Sequence, residues 1–182
     1  MMNKKLSKPT IIFHWITGLI FIGVLALGLY VDSLPRAPEK FELLGIHKSF
    51  GVIVLLVAAL RLLWRLKEGA ISSIAQLTKV QVFLAKSVHH LLLLGTLLMP
   101  ISGIMMSIGS GRAVELFGLE LVSAGDKIEW LATIGGNVHG AAANVLITVL
   151  LLHIAGALKH QFIDKDGTIS RMLGKTVVTK IQ

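Results

Sequence analysis

The sequence predicts an all-α integral membrane protein, a bundle of four transmembrane helices, and three observations carry that prediction. Hydrophobic residues make up 54% of the 182 and charged residues only 15%, and a mean hydropathy of +0.77 is too apolar for a water-soluble domain of this size. Four apolar runs each meet or exceed the roughly 20 residues that a spanning helix needs. Basic residues concentrate in alternate connections, as membrane topology requires. The alternating pattern of a membrane barrel is absent, and lipid tolerates no open-edged backbone.

The runs come in order. Thr10 to Val31 follows a basic start, but it is longer than a signal h-region and Ala26-Leu27-Gly28 is a poor cleavage site, so it is read as a retained helix. Leu43 to Leu66, Val82 to Ile108 and Gly135 to Phe162 supply the other three. Glu68 to Lys79 reads as a polar linker and Asp164 onward as a short basic tail. The longest connection, Ser107 to Ile134, holds Gly109, Gly111, Gly118, Gly125, Glu115, Glu120, Asp126 and Glu129, and is expected to form an outer cap with short amphipathic pieces. No internal repeat or second domain is visible, so residues 1–182 read as one domain. Thirteen basic residues (Lys4, Lys5 and Lys8; Arg61, Arg65, Lys67, Lys79 and Lys86; Lys159, Lys165, Arg171, Lys175 and Lys180) fall on one face of the membrane. Only Arg36, Lys40, Lys48, Arg112 and Lys127 fall on the other, which places both termini in the cytoplasm. The net charge of +8 is therefore a topology signal rather than a nucleic-acid footprint. Gly109-Ser110-Gly111-Arg112 is rejected as a dinucleotide loop, because position 114 is Val and no strand is expected before it.

The chemistry lies in the histidines. His139 and His153 are fourteen residues apart in one apolar stretch. Fourteen helical steps return to within about 40° of the starting direction after a rise of roughly 21 Å, so both imidazoles share a face at two depths. Ionisable groups in hydrocarbon are costly unless paired or ligated. His14 lies near the cytoplasmic start of the first helix and His47 near the outer start of the second. Two levels follow: His47 with His139 outside, His14 with His153 inside. Two nitrogens per level, with no thiolate or carboxylate, suit a tetrahedral zinc site poorly. They suit haem, whose iron takes four porphyrin nitrogens and leaves two axial positions. The chain has no cysteine, which excludes disulfides, thiolate metal sites and covalent attachment through Cys-x-x-Cys-His. Small residues stand beside the histidines: Gly18, Gly51, Gly136, Gly140, Ala141 to Ala143, Gly156 and Ala157. They read either as room for a macrocycle or as close helix packing of the kind Gly136 and Gly140 would give.

Several stretches together resemble the bacterial cytochrome b-561 family. These are Phe13-His14-Trp15, Ile46-His47-Lys48-Ser49-Phe50-Gly51, Leu60-Arg61-Leu62-Leu63-Trp64-Arg65, His89-His90 ahead of Met99-Pro100-Ile101-Ser102-Gly103, Val138-His139-Gly140, and Leu152-His153 through Lys159-His160. The resemblance covers nearly the whole chain in order. It implies a bacterial inner-membrane, multi-pass protein with two non-covalent b haems that passes electrons between membrane quinone, expected to be ubiquinone, and a one-electron partner, superoxide being one substrate associated with the family. It also implies His14 and His153 as ligands of the inner iron and His47 and His139 as ligands of the outer. One departure is the second histidine, His90, beside His89.

Other residues are candidates by their position. His89 and His90 point about 100° apart, near the inner level, and could relay protons to quinone, bond a propionate or sit at the headgroup boundary. Arg61 shares the face of His47 fourteen residues on, where its guanidinium suits a haem propionate or snorkels to the surface. Lys48 and Arg112 are candidates at the outer haem, with Gly51 leaving room for it. Trp15, Trp64 and Trp130 fit interfacial belts. The expected function is transmembrane electron transfer with a redox partner, by an oxidoreductase acting alone or as the haem-bearing membrane anchor of a dehydrogenase or hydrogenase. A histidine-lined metal or proton transporter is the alternative of another class. Against it stands the lack of membrane-embedded Asp or Glu.

Overall fold

A computed structural model describes residues 2, 3, 5–69, 71, 74 and 77–179. Lys4, Lys180 and parts of the 68–79 linker lie outside the described residues. Four long helices, α1 (Lys8–Ser33), α2 (Pro38–Glu68), α3 (Lys79–Gly109) and α4 (Glu129–Leu158), each have the length and apolarity to cross a membrane. Helices α1, α2 and α3 extend past their apolar runs at both ends, whereas α4 starts six residues early and ends at Leu158, short of Phe162. Ser7 accepts from the Thr10 N–H ahead of α1, with Pro9 in its first turn. Pro38 starts α2, and Gly69, at φ 80°, follows its last residue. Thr78 and Gln81 form a capping box on α3. A π-helical turn, Lys159–Ile163, continues α4, followed by a short helix α5 (Thr168–Met172).

Neighbouring helices pack in sequence order, α1 on α2, α2 on α3 and, most extensively, α3 on α4. Gly135 is the reason that the last pair comes so close: a methyl there would stand 2.5 Å from the Met106 backbone nitrogen. Gly136 is only in ordinary contact with Met106 and Gly140 touches nothing, so the close packing the sequence allowed for that pair belongs to their neighbour. Phe21, Val54, Met99 and Leu146, one residue from each helix, pack together as a central layer of the core. Leu19, Leu63, Leu94 and Leu151 are more than 60% exposed on the outside of the bundle, as lipid-facing side chains are.

The two ends differ. The α3–α4 connection is a β-hairpin, β2 (Val114–Leu116) paired with β3 (Leu119–Val122), where the sequence had indicated only amphipathic pieces. Phe117 and Gly118 form its two-residue turn at φ 50° and 88°, the double positive φ that matches strand twist and favours Gly at the second position. Ser49 of α2 accepts from the Phe117 N–H at 2.9 Å, and Phe50 meets Phe117 edge-on at 5.3 Å. At the opposite end, two-residue strands β1 (Met2–Asn3) and β4 (Val178–Thr179) bring both ends of the chain together. Trp15 Nε1 donates to the Met172 carbonyl at 2.8 Å and Trp64 Nε1 to Thr10 at 3.0 Å, which anchors these two belt tryptophans at the terminal end.

Candidate haem-binding site

Two pairs of histidines meet across the bundle. His47 and His139 have ring centres 6.2 Å apart and planes at 86°; His14 and His153 are 6.1 Å apart at 56°. In each pair α4 supplies one ring, and α2 or α1 the other, although α4 has no extensive backbone packing with either helix among the described residues. The imidazoles therefore reach across a gap. Two imidazoles on opposite sides of one iron, each about 2 Å from it, have ring centres roughly 6 Å apart. Gly18, Gly51, Gly140 and Gly156 have nothing within 4 Å of where a methyl would sit, so the small residues beside the histidines leave space rather than close it. The residues present fit a haem at each level.

The core layer separates the levels. Phe21 follows His14 by seven residues, Val54 follows His47 by seven, and Leu146 lies midway between His139 and His153. Seven residues are nearly two turns. Each histidine stripe thus continues into the same apolar layer from both sides.

The hairpin-side pair is held by backbone. His47 Nδ1 lies 3.2 Å from the Val24 carbonyl and His139 Nδ1 2.9 Å from the Met99 carbonyl. A carbonyl only accepts, so Nδ1 carries the proton and Nε2 presents a lone pair suited to a metal. Glycines seat both rings: a methyl on Gly28 would stand 2.8 Å from His47 Cε1, and one on Gly103 3.2 Å from His139 Cε1. In the sequence Gly28 carried no ligand-related signal, and Gly103 stood only as the last residue of the Met99–Gly103 stretch that resembles the family.

The terminal-side pair has a side-chain rather than a backbone partner at His14. Arg61 donates to His14 Nδ1 at 3.3 Å, which leaves the proton of a neutral His14 on Nε2. Ligation through Nε2 requires Arg61 to release Nδ1. Thr17, one turn beyond His14 and 1% exposed, has a hydroxyl without a partner. His89 joins this level with its ring 5.3 Å from that of His153, its Nδ1 donating to the Ala85 carbonyl at 2.6 Å. His90 donates to the Lys86 carbonyl at 2.7 Å and makes no ring contact with the pair among the described residues, so the adjacent histidines do diverge. Lys48 and Arg112 meet at the hairpin end, where they line a cavity of about 310 Å³ with Phe41, Leu44 and Glu115. Further along the α4 stripe, His160 Nδ1 stands 3.0 Å from Asp164 and 2.8 Å from Asp166, with Lys159 on Asp164. The sequence reading had placed His160 near the end of the fourth apolar run and Asp164 and Asp166 in the tail, without joining them.

A family model described as prokaryotic cytochrome b561 matches residues 5–175. The chain is 32% identical over 179 residues to cytochrome b561 homolog 2 of Escherichia coli strain K12, covering 90% of this chain and 88% of that one. It is 28% identical over 176 residues to the probable superoxide oxidase CybB of Yersinia pestis, covering 96% and 98% respectively. The chain belongs to the prokaryotic cytochrome b561 family, as a multi-pass protein of the bacterial inner membrane that transfers electrons with b-type haem.

Proposed function

We propose that this protein holds two b haems, one between His47 and His139 and one between His14 and His153, and moves electrons through the membrane between a one-electron donor at the hairpin end and a quinone near the terminal end. The observation that carries the proposal is the pair of cross-helix histidine contacts at 6.2 Å and 6.1 Å, with an apolar layer between them. Haem, when bound, supplies one-electron oxidation and reduction at iron. The chain supplies position and charge. Val24 and Met99 fix the tautomers of the hairpin-side ligands. Arg61 is the cation for a propionate at the other level, since an anion is a stronger partner for guanidinium than neutral imidazole is. Giving up His14 Nδ1 also lets His14 present Nε2.

At the hairpin end, Lys48 and Arg112 outnumber the Glu115 carboxylate at one cavity, and the net positive charge favours an anionic donor. Superoxide fits that description, and a relative 28% identical is named a probable superoxide oxidase. At the terminal end, reduction of a quinone by two electrons takes up two protons. His89 is the residue to deliver them, because Nδ1 is occupied by Ala85 and Nε2 is left to accept and pass a proton beside His153. The pyridine haemochromogen of purified protein should give two haems per chain, extractable by acidified acetone. One haem or none would sink the proposal. His89→Phe should slow reoxidation by a ubiquinone analogue with haem content unchanged, whereas His90→Phe should not. Equal rates in both variants would move quinone chemistry elsewhere.

A further inference from the structure

We propose that Ser102 is a positioning residue that sets the hydrogen bonding of His139, and through it the reduction potential at the hairpin-side level. The inference rests on His139 being an axial ligand. Ser102 sits on α3, 1% exposed, in the interior of a membrane protein, where a hydroxyl costs free energy unless bonded. Its hydroxyl donates to the Met99 carbonyl at 2.8 Å, and its oxygen stands 3.1 Å from His139 Nδ1. The same Nδ1 is 2.9 Å from the Met99 carbonyl. One N–H is thus shared between two acceptors. With its own proton engaged, the Ser102 oxygen is a better acceptor than a free hydroxyl would be.

The arrangement is held from both sides. Gly103 makes room for the ring, and a methyl on Gly135 of α4 would come within 2.9 Å of the Ser102 carbonyl oxygen, so the two backbones cannot shift freely against each other. Among the described residues His47, by contrast, has one such acceptor, the Val24 carbonyl at 3.2 Å. The stronger donation of charge onto the metal therefore comes from the His139 side. A hydrogen bond from the far nitrogen makes an imidazole a more basic ligand, which favours ferric over ferrous iron and lowers the potential.

Replacing serine by alanine changes the volume little, so a role in packing alone predicts no redox effect. Ser102→Ala should raise the potential of the hairpin-side component. The expected change is at least about threefold in the ferrous-to-ferric ratio at a fixed ambient potential, about 28 mV at 59 mV per tenfold for one electron. Ser102→Cys, whose sulfur is a weak acceptor, should fall between. The measurement is a redox titration followed by paramagnetic resonance, with the other component unmoved as the internal control. Unshifted potentials with full haem content would overturn the proposal. Should Ser102→Ala lose haem, the cysteine variant decides by the same titration. A His139→Ala protein that keeps both low-spin signals would refute the ligand assignment itself, whatever Ser102 does.

Discussion

Gly28→Ala tests how the hairpin-side site is built. Gly28 and Val24 lie one turn apart on α1, and both face His47 of α2. A methyl on Gly28 would stand 2.8 Å from His47 Cε1, and restoring ordinary contact at 3.4 Å pushes the ring away by about 0.6 Å. The same movement lengthens the bond from Nδ1 to Val24, now 3.2 Å, beyond hydrogen-bonding range. Alanine gains about 1 kcal/mol over glycine in helix propensity, while overpacking costs about 1–3 kcal/mol, so the fold should lose roughly 1 kcal/mol. The larger effect falls on the ligand, because partners that orient a metal-bound histidine are typically worth about 10–100-fold in affinity. Gly23→Ala, on the same helix with nothing within 4 Å, is the control. Haem per polypeptide and the paramagnetic resonance of each component give the readout, with the hairpin-side signal expected to fall or broaden in Gly28→Ala alone. Wild-type haem content and an unaltered signal in that variant would refute the claim that Gly28 seats the His47 ring.

His47→Ala and His139→Ala should remove one spectral component, and His14→Ala and His153→Ala the other; crossed phenotypes in the four resonance spectra would break the pairing. Gly135→Val should disrupt assembly, because the Met106 backbone 2.5 Å away cannot yield as a side chain can, while Gly136→Ala, whose nearest contact is at 3.5 Å, should melt like wild type in detergent. The Lys159 ammonium bonds both oxygens of Asp164 and holds that carboxyl below its usual range. That stabilisation is present above the unfolded carboxylate value of about 3.9 and lost as pH falls through the lower folded value, so limited proteolysis of the tail should increase only below about pH 4.

The four helices and both histidine pairs were legible because each rests on a periodicity. Long apolar runs mark spans, and a fourteen-residue interval returns a side chain to its own face at a second depth. The helix ends were not legible from apolarity, since Thr78 and Gln81 extend α3 by backbone capping in a region where hydropathy has already fallen. The hairpin was missed for a similar reason: its determinants are two residues of positive φ at Phe117 and Gly118 and a dock on Ser49, neither of which leaves a pattern of period 2 long enough to see. The small residues misled in an instructive way. Gly136 and Gly140 have the spacing of a packing motif, but the rotation of α4 turns Gly135, five whole turns before His153 and on the same stripe, to α3 instead.

That rotation ties the fold to the chemistry. Gly135, His139, Leu146 and His153 fall within about 40° of one another around α4, so the face that Gly135 and Leu146 close against α3 is also the face that carries the histidines. Bringing α4 closer to α1 or α2 would bury more apolar surface, yet it would fill the space that the histidines span. The bundle keeps α4 tight against α3 and holds the rings across an open gap, so stability is concentrated in the α3–α4 contact and in the layer of Phe21, Val54, Met99 and Leu146. Met99 belongs to both parts: its side chain sits in that layer, and its carbonyl fixes the tautomer of His139. A change that loosens the packing of α3 against α4 will therefore reach the hairpin-side ligand before it unfolds the bundle.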